Sequence, residues 1–159
     1  MILLAGAAAT VLAVCVLSIM LARRWFAVVT VSGSSMAPTL RPGDRVLVRR
    51  HPHDALSVLR AGAIVVFREP GAQRRPGFPA SGLASQPWVI KRIAAMPGHP
   101  VPGSVRPAVG DREVVPAGML VVLGDGLLSG DSRQWGFIPA DQTLGLVVRT
   151  LKATRDSSA

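Results

Sequence analysis

Three groups of residues in this sequence could take part in chemistry. The first is a turn of small residues, Ser32-Gly33-Ser34-Ser35, which follows a long apolar segment. Small residues allow the tight turn and the accessible backbone N–H groups that a nucleophilic serine needs, and Pro38 restricts how the chain leaves this turn. Ser35 is therefore the candidate nucleophile.

Serine nucleophiles commonly work with a histidine, but no histidine here is well placed. His51, His53 and His99 all lie in Pro- or Gly-flanked polar stretches that are typical of exposed loops. His51 and His53 could chelate a metal in principle, yet no third ligand is indicated nearby. We therefore expect no metal site and no cofactor.

Lysine is the more informative residue type, because the chain has only Lys91 and Lys152. In an extended segment Lys91 shares a face with Val89 and Ile93. Apolar neighbours favour partial burial, and burial lowers the pKa of an amine, which can then act as a base near neutral pH. Spacing alone favours the alternative that Lys91 extends from a sheet edge to water.

The third group is a polar, glycine-rich segment from Gly124 to Phe137. In it Asp131 and Arg133 are close enough to form an ion pair that would make the loop rigid. Ser129 offers a hydroxyl that could orient an amine. Taken alone, this segment has low specificity for any one function.

The elements that must position these residues are predicted to be mainly β-strands. Apolar or alternating patterns predict seven segments, one of them short, and no convincing helix after residue 24. These segments are Phe26–Val31, Arg45–Arg49, Ala63–Arg68, Trp88–Met96, Arg112–Val115, Met119–Leu123 and Leu144–Leu151. The fold class expected is a small antiparallel β-sheet or barrel-like domain over residues 25–152, with a flexible tail at 153–159.

Residues 1–24 are predicted to form an N-terminal membrane anchor. Residues 2–22 carry no charge, and as a helix they would extend about 31 Å, close to the thickness of a bilayer core. A cleaved signal peptide is the alternative for this segment. Arg23 and Arg24 at its C-terminal end favour a cytoplasmic location for the rest of the chain.

The composition of the chain limits the classes of binding partner that it can have. The formal net charge is +9, which suits a surface next to anionic lipid headgroups. Nucleic-acid binding is disfavoured, because the arginines are scattered and no basic run alternates with aromatic residues. A single cysteine, Cys15, excludes an intrachain disulfide within this sequence.

The three groups, in this order, resemble the type I signal peptidase (leader peptidase) family of Ser/Lys membrane proteases. The resemblance rests on Ser35-Met36 with Pro38-Thr39-Leu40, on Arg41-Pro42-Gly43-Asp44, on Lys91-Arg92, and on Ser129-Gly130-Asp131-Ser132-Arg133 with Trp135-Gly136-Phe137. It covers most of residues 27–150. The sequence departs from the family pattern at Gly126, where Asn is usual, and at Gly33, where some relatives carry a hydroxyl. The stretch from Asp125 to Ser129 is also one residue short.

The resemblance implies a role for each candidate. Ser35 would be the nucleophile, its backbone N–H would help to stabilise the oxyanion, and Lys91 would be the general base. Ser129 would orient Lys91, and the Asp131–Arg133 pair would hold the loop. The partners would be precursor proteins that bear signal peptides, together with the lipid bilayer.

We therefore expect a membrane-anchored serine endopeptidase that removes signal peptides from exported proteins. Its catalytic domain would lie on the extracytoplasmic side of the cell membrane, in conflict with the orientation that Arg23 and Arg24 favour. Two alternatives stay open, a maturation protease dedicated to one secreted substrate and a catalytically silent, membrane-tethered peptide-binding module.

Overall fold

The computed structural model describes residues 2–50, 55–71, 88–127 and 129–151, with side chains described from residue 11 onward. Helix α1 spans Ile2–Trp25 and leads directly into the first strand. The seven strands are β1 Phe26–Thr30, β2 Arg45–Arg50, β3 Ile64–Arg68, β4 Trp88–Ala95, β5 Met119–Leu123, β6 Ile138–Pro139 and β7 Thr143–Leu151.

The strands form one antiparallel sheet in the order β1-β2-β7-β3-β4-β5-β6. The prediction of a mainly β, antiparallel domain is therefore confirmed. Its strand boundaries agree closely for β1 to β5 and β7, because their apolar residues alternate or are β-branched.

The sequence missed the shortest elements. Besides β6, the described residues include three four-residue helices, which we label α2 Ala55–Val58, α3 Arg106–Val109 and α4 Ser132–Trp135, and a 3₁₀ turn at Ala140–Gln142. The predicted absence of helix after residue 24 is thus wrong in detail. The strand expected at Arg112–Val115 is reduced to an isolated bridge between Pro100 and Val114. Elements this short are held by tertiary contacts rather than by local propensity.

Apolar side chains pack on both faces of the sheet. Alternation along β3 sends Val65 and Phe67 into one cluster and Val66 into the other. A third cluster, which includes Val101, Val105 and Val121, covers one face of β5. The central strands therefore provide a rigid frame for the loops at their ends.

Among the residues whose side chains are described, no helix is long and apolar enough to cross a membrane. The membrane span expected over residues 2–22 is therefore not supported by the structure. The tail at 153–159 lies outside the described residues.

Candidate active site

The loop that carries Ser35 connects β1 to β2 and is anchored at its base and in the core. Val31 N–H donates to the Asp44 carbonyl at 2.8 Å, and Gly43, with φ of 91°, donates to the Val31 carbonyl at 2.8 Å. Met36 and Leu40 are 1% and 0% exposed in the core cluster beneath. The anchored loop leaves Ser35 half-buried at its turn, with a defined direction for its hydroxyl.

Lys91 lies in the middle of β4, where pairing with Val65 of β3 fixes its backbone. Its side chain is 3% exposed, and Nζ donates to Ser35 Oγ at 2.6 Å. The structure therefore brings together two candidates that are 56 residues apart in the sequence. The alternative in which Lys91 extends to water is wrong.

The surroundings of Lys91 lower the pKa of its amine below the ordinary value of 10.5. Burial is the largest cause, because it disfavours the charged ammonium. The charge of Asp131 opposes this effect and that of Arg133 adds to it, while the charge of Glu69 also raises the pKa. The net direction increases the fraction of neutral amine near neutral pH.

Asp131 is the buried charge of the last loop and is 0% exposed. Its carboxylate caps α4 by accepting from Arg133 N–H at 3.1 Å, and it also accepts from Gly124 N–H at 2.9 Å. Arg133 adds a two-pronged ion pair, with Nε and Nη2 at 2.9 and 2.7 Å from the carboxylate. Burial raises the pKa of Asp131, but hydrogen bonds from Arg133, Gly124 and Ser129 outweigh it and lower the pKa to about 2. The ion pair predicted from the sequence is present.

These contacts predict how Asp131→Asn changes stability with pH. The folded-state pKa of about 2 lies below the ordinary 3.8, so the ionised carboxylate stabilises the fold above pH 3.8, and this contribution is lost as pH falls through about 2. We expect Asp131→Asn to lower the free energy of unfolding by about 2 kcal/mol at pH 7. Thermal unfolding measured from pH 7 to pH 2 should show that the difference in melting temperature between Asp131→Asn and wild type becomes smaller in acid.

Asp111→Asn is the matched control, because Asp111 is exposed. It should change the melting temperature little at any pH. If the difference in melting temperature between wild type and Asp131→Asn stayed constant down to pH 2, the ionised carboxylate could not be what stabilises the fold.

Ser129 lies beside the Asp131–Arg133 pair and its hydroxyl contacts the Asp131 carboxylate. Its Oγ donates to the Gly130 carbonyl at 3.5 Å, its hydroxyl contributes to the low pKa of Asp131, and its side chain packs against Gly124. Within the described residues no hydrogen bond links Ser129 to Lys91. The orienting role of Ser129 therefore stays a prediction.

Sequence reasoning missed a second ion pair, between Arg92 and Asp125. Arg92 donates to Asp125 through Nε at 2.9 Å and Nη2 at 2.6 Å, and Thr39 Oγ1 donates to the same carboxylate at 2.6 Å. Arg92 also donates to the Gly62 carbonyl at 2.8 Å. This network joins the serine loop, β4 and the loop after β5. The sequence offered one signal for this ion pair, the position of Arg92 next to Lys91. Because consecutive strand residues point to opposite faces, Arg92 needs a partner on the face that Lys91 does not occupy.

Two glycines let the last loop pack directly against the serine turn. Gly126 N–H donates to the Ser35 carbonyl at 2.9 Å, and a Cβ on Gly126 would lie 2.7 Å from the Ser34 carbonyl oxygen. A Cβ on Gly124 would lie 2.6 Å from the Ser35 carbonyl oxygen. The glycine that departs from the family pattern is thus required by this close backbone approach.

We expect Gly126→Ala to displace the serine turn. Because the added methyl meets backbone and not a flexible side chain, the free energy of unfolding should fall by about 1–3 kcal/mol. Activity should fall at least about tenfold, because displacements near 1 Å are costly to catalysis. The matched control is Gly103→Ala, where a Cβ meets nothing within 4 Å. Equal behaviour of the two variants in unfolding and activity assays would refute the packing argument.

The histidines take no part in this site as far as it is described. His99 is exposed, and His51 and His53 lie outside the described residues. Among the residues that the structure covers, no group of three or more His, Cys, Asp or Glu side chains could hold a metal ion.

A curled antiparallel sheet whose loops bring a serine hydroxyl against a buried lysine amine has the arrangement expected of a serine hydrolase. Comparison with known proteins agrees with this class. A family model described as signal peptidase, peptidase S26, matches residues 4–103 and 103–151. The chain belongs to this family of serine peptidases.

Two curated relatives are similar over most of the chain. A protein of Synechocystis sp. named probable signal peptidase I-1 is 31% identical over 141 residues, which cover 72% of this chain and 65% of that protein. The signal peptidase I of Bacillus caldolyticus is 29% identical over 136 residues, which cover 74% of each chain. The chain thus spans slightly less than two thirds of the Synechocystis protein.

Proposed function

We propose that this chain is a membrane-attached serine endopeptidase that removes signal peptides from precursor proteins, with Ser35 as nucleophile and Lys91 as general base. The observation that carries the proposal is the 2.6 Å contact between Ser35 Oγ and the Nζ of a lysine that is 3% exposed. Membership of the signal peptidase family supports the choice of substrate.

The proposed reaction has two halves. In the first half, Ser35 Oγ attacks the scissile carbonyl carbon while its proton passes to the neutral Lys91 amine. The resulting ammonium then donates that proton to the leaving amine, and an ester on Ser35 remains. In the second half, Lys91 takes a proton from a water molecule as the water oxygen attacks the ester carbonyl carbon. The ammonium then returns this proton to Ser35 Oγ as the ester bond breaks, which releases the new carboxyl group and regenerates the free serine.

The serine turn also supports stabilisation of the oxyanion. Among the hydrogen bonds found in the described part of the chain, none uses the backbone N–H of Ser35. This donor is available to the developing negative charge. The networks around Asp131 and Asp125 would hold the turn still while the charge develops, so that little reorganisation is needed.

Membrane attachment through residues 2–22 belongs to the same proposal. The segment carries no charge in the sequence, and the apolar side chains described in it, among them Leu12, Leu17 and Met20, are exposed. Attachment would raise the effective concentration of a membrane-bound precursor. A reporter fused after Ala159 tests the orientation, and we expect it on the extracytoplasmic side.

The test of function is incubation of the full chain in detergent with several secreted precursors from its own organism. We expect cleavage of many precursors after a small residue that follows the apolar core, with sites read by mass spectrometry. Cleavage of a single precursor would identify a dedicated maturation protease instead. Absence of cleavage by a folded sample would support a peptide-binding module and reject the proposal.

A further inference from the structure

A pocket of about 520 Å³ lies at the end of the sheet where β2 and β3 finish and β7 begins. We call it the arginine pocket, since three of its lining residues are arginines. It is lined by Arg24, Arg50, Arg68, Trp88, Asp141, Gln142, Thr143 and Leu144.

Strand register explains why the arginines converge. Arg50 pairs with Gly145, and Phe67 pairs with Thr143, so the ends of β2 and β3 flank the start of β7. Because β7 lies between β2 and β3, these two strands are about 10 Å apart, and the long side chains of Arg50 and Arg68 can reach a common space over β7. Arg24 joins them because α1 runs into β1, whose first residue pairs with the neighbour of Arg50.

Arginines outnumber acidic residues in the lining of this pocket, and neither the Arg92–Asp125 nor the Arg133–Asp131 ion pair involves one of these arginines. Asp141 is the acidic residue among those that line the pocket, against three arginines. Among the described residues, the buried Nε of Arg50 has no hydrogen-bond partner. Because buried N–H groups nearly always have an acceptor, this donor is available to a bound anion.

An apolar groove of similar volume adjoins the pocket, and Arg50 lines both. The groove runs between the last turns of α1 and β1, where Ile19, Ala22, Phe26 and Val28 face it. A small phosphate would bind the arginines of the pocket but leave the groove empty. A molecule with an anionic head and an apolar tail would fill both.

We propose that the arginine pocket and the apolar groove bind one anionic phospholipid. Its phosphodiester accepts hydrogen bonds from Arg50, Arg24 and Arg68, whose planar guanidinium groups match phosphate oxygens in pairs. Its acyl chain lies along the groove beside α1. The excess of positive charge selects a headgroup with net negative charge over a zwitterionic one. None of these residues belongs to the Ser35–Lys91 site, so the lipid site stands or fails independently of the proposed peptidase activity.

Native mass spectrometry of the full chain, released from micelles of an uncharged detergent, tests this site. Phosphatidylglycerol is titrated into wild type, into Arg50→Gln/Arg68→Gln, and into Arg106→Gln/Arg112→Gln. The control arginines are exposed and lie outside the pocket, and both double variants lose two positive charges. We expect one tightly bound lipid for wild type and the control, and affinity at least about tenfold weaker for the pocket variant, since several charge-assisted hydrogen bonds are lost.

Three further titrations identify what is recognised. Diacylglycerol, which lacks phosphate, should not bind, and phosphatidylcholine should bind more weakly than phosphatidylglycerol. Glycerol 3-phosphate, which lacks acyl chains, should compete only at much higher concentration. If it bound as tightly as the lipid, the ligand would be a soluble phosphate and the lipid assignment would be overturned.

If lipid binding weakened equally in both double variants, the affinity would come from general surface charge and the proposed site would be rejected. Circular dichroism melting shows whether Arg50→Gln/Arg68→Gln is folded. If it is not, Arg68→Gln alone and Arg24→Gln alone take its place, and each should still weaken binding relative to Arg112→Gln. Unchanged binding in both single variants would reject the proposal.

Discussion

Ser35→Ala is expected to abolish peptide-bond cleavage while the chain stays folded. Removing the nucleophile of a serine hydrolase lowers kcat by about 10⁴-fold or more, because no other group forms the covalent intermediate. The loop itself should persist, since Met36 and Leu40 anchor it and the Ser35 hydroxyl makes its contact with Lys91 alone among the described residues. The measurement is kcat on a precursor in detergent, with melting temperature recorded alongside.

Ser34→Ala is the matched control for this prediction. Ser34 is exposed one residue earlier in the same turn, and its structural contact is made by its backbone carbonyl, which accepts from Ala37 N–H at 2.9 Å. This variant should keep activity within a fewfold of wild type. Retention of activity in Ser35→Ala would exclude Ser35 as nucleophile.

Lys91→Met should be equally inactive, and for a different reason. Methionine nearly matches lysine in length and suits the buried position, so the sheet should fold, but a thioether cannot accept the serine proton. Lys91→Arg should be inactive too, since a guanidinium stays protonated in proteins. We expect each substitution to lower kcat by about 10³-fold or more.

Lys152→Met provides the comparison, because Lys152 is the other lysine of the chain. It should leave kcat unchanged. Activity of wild type should rise with pH through a pKa below 10.5, since the proposed general base must be the neutral amine and burial lowers the pKa of Lys91. An active Lys91→Met variant, or a rate that still climbs past pH 10.5, would remove Lys91 from the mechanism.

The sequence predicted the strands and the catalytic candidates because each depends on local pattern. Alternation located β2 and β4, and the scarcity of lysine together with the apolar neighbours of Lys91 singled that residue out. Its burial could not be derived from spacing, since the same pattern fits an edge strand. Burial is decided by β3 on one side and by the serine loop on the other.

Features that depend on contacts between distant parts of the chain could not be predicted from the sequence. The Arg92–Asp125 pair joins residues 33 apart, and its partner Thr39 comes from a third segment. Gly126 looked like a departure from a family pattern, yet packing against the Ser34 carbonyl shows why a side chain is excluded there. The arginine pocket combines residues of α1, β2 and β3 that have no sequence relationship.

Nuclear magnetic resonance of the lysine side chains tests most directly whether the pKa of Lys91 is lowered, as the proposed general base requires. The chain has two lysines, so labelling with [ε-¹³C]lysine gives two Cε signals, and Lys152→Arg assigns them. We predict that the Lys91 signal titrates below the ordinary pKa of 10.5, and that Asp131→Asn lowers the pKa of Lys91 further, because the carboxylate charge that raises it is lost. Titration of Lys91 at or above 10.5 in the folded protein would contradict its proposed role as general base.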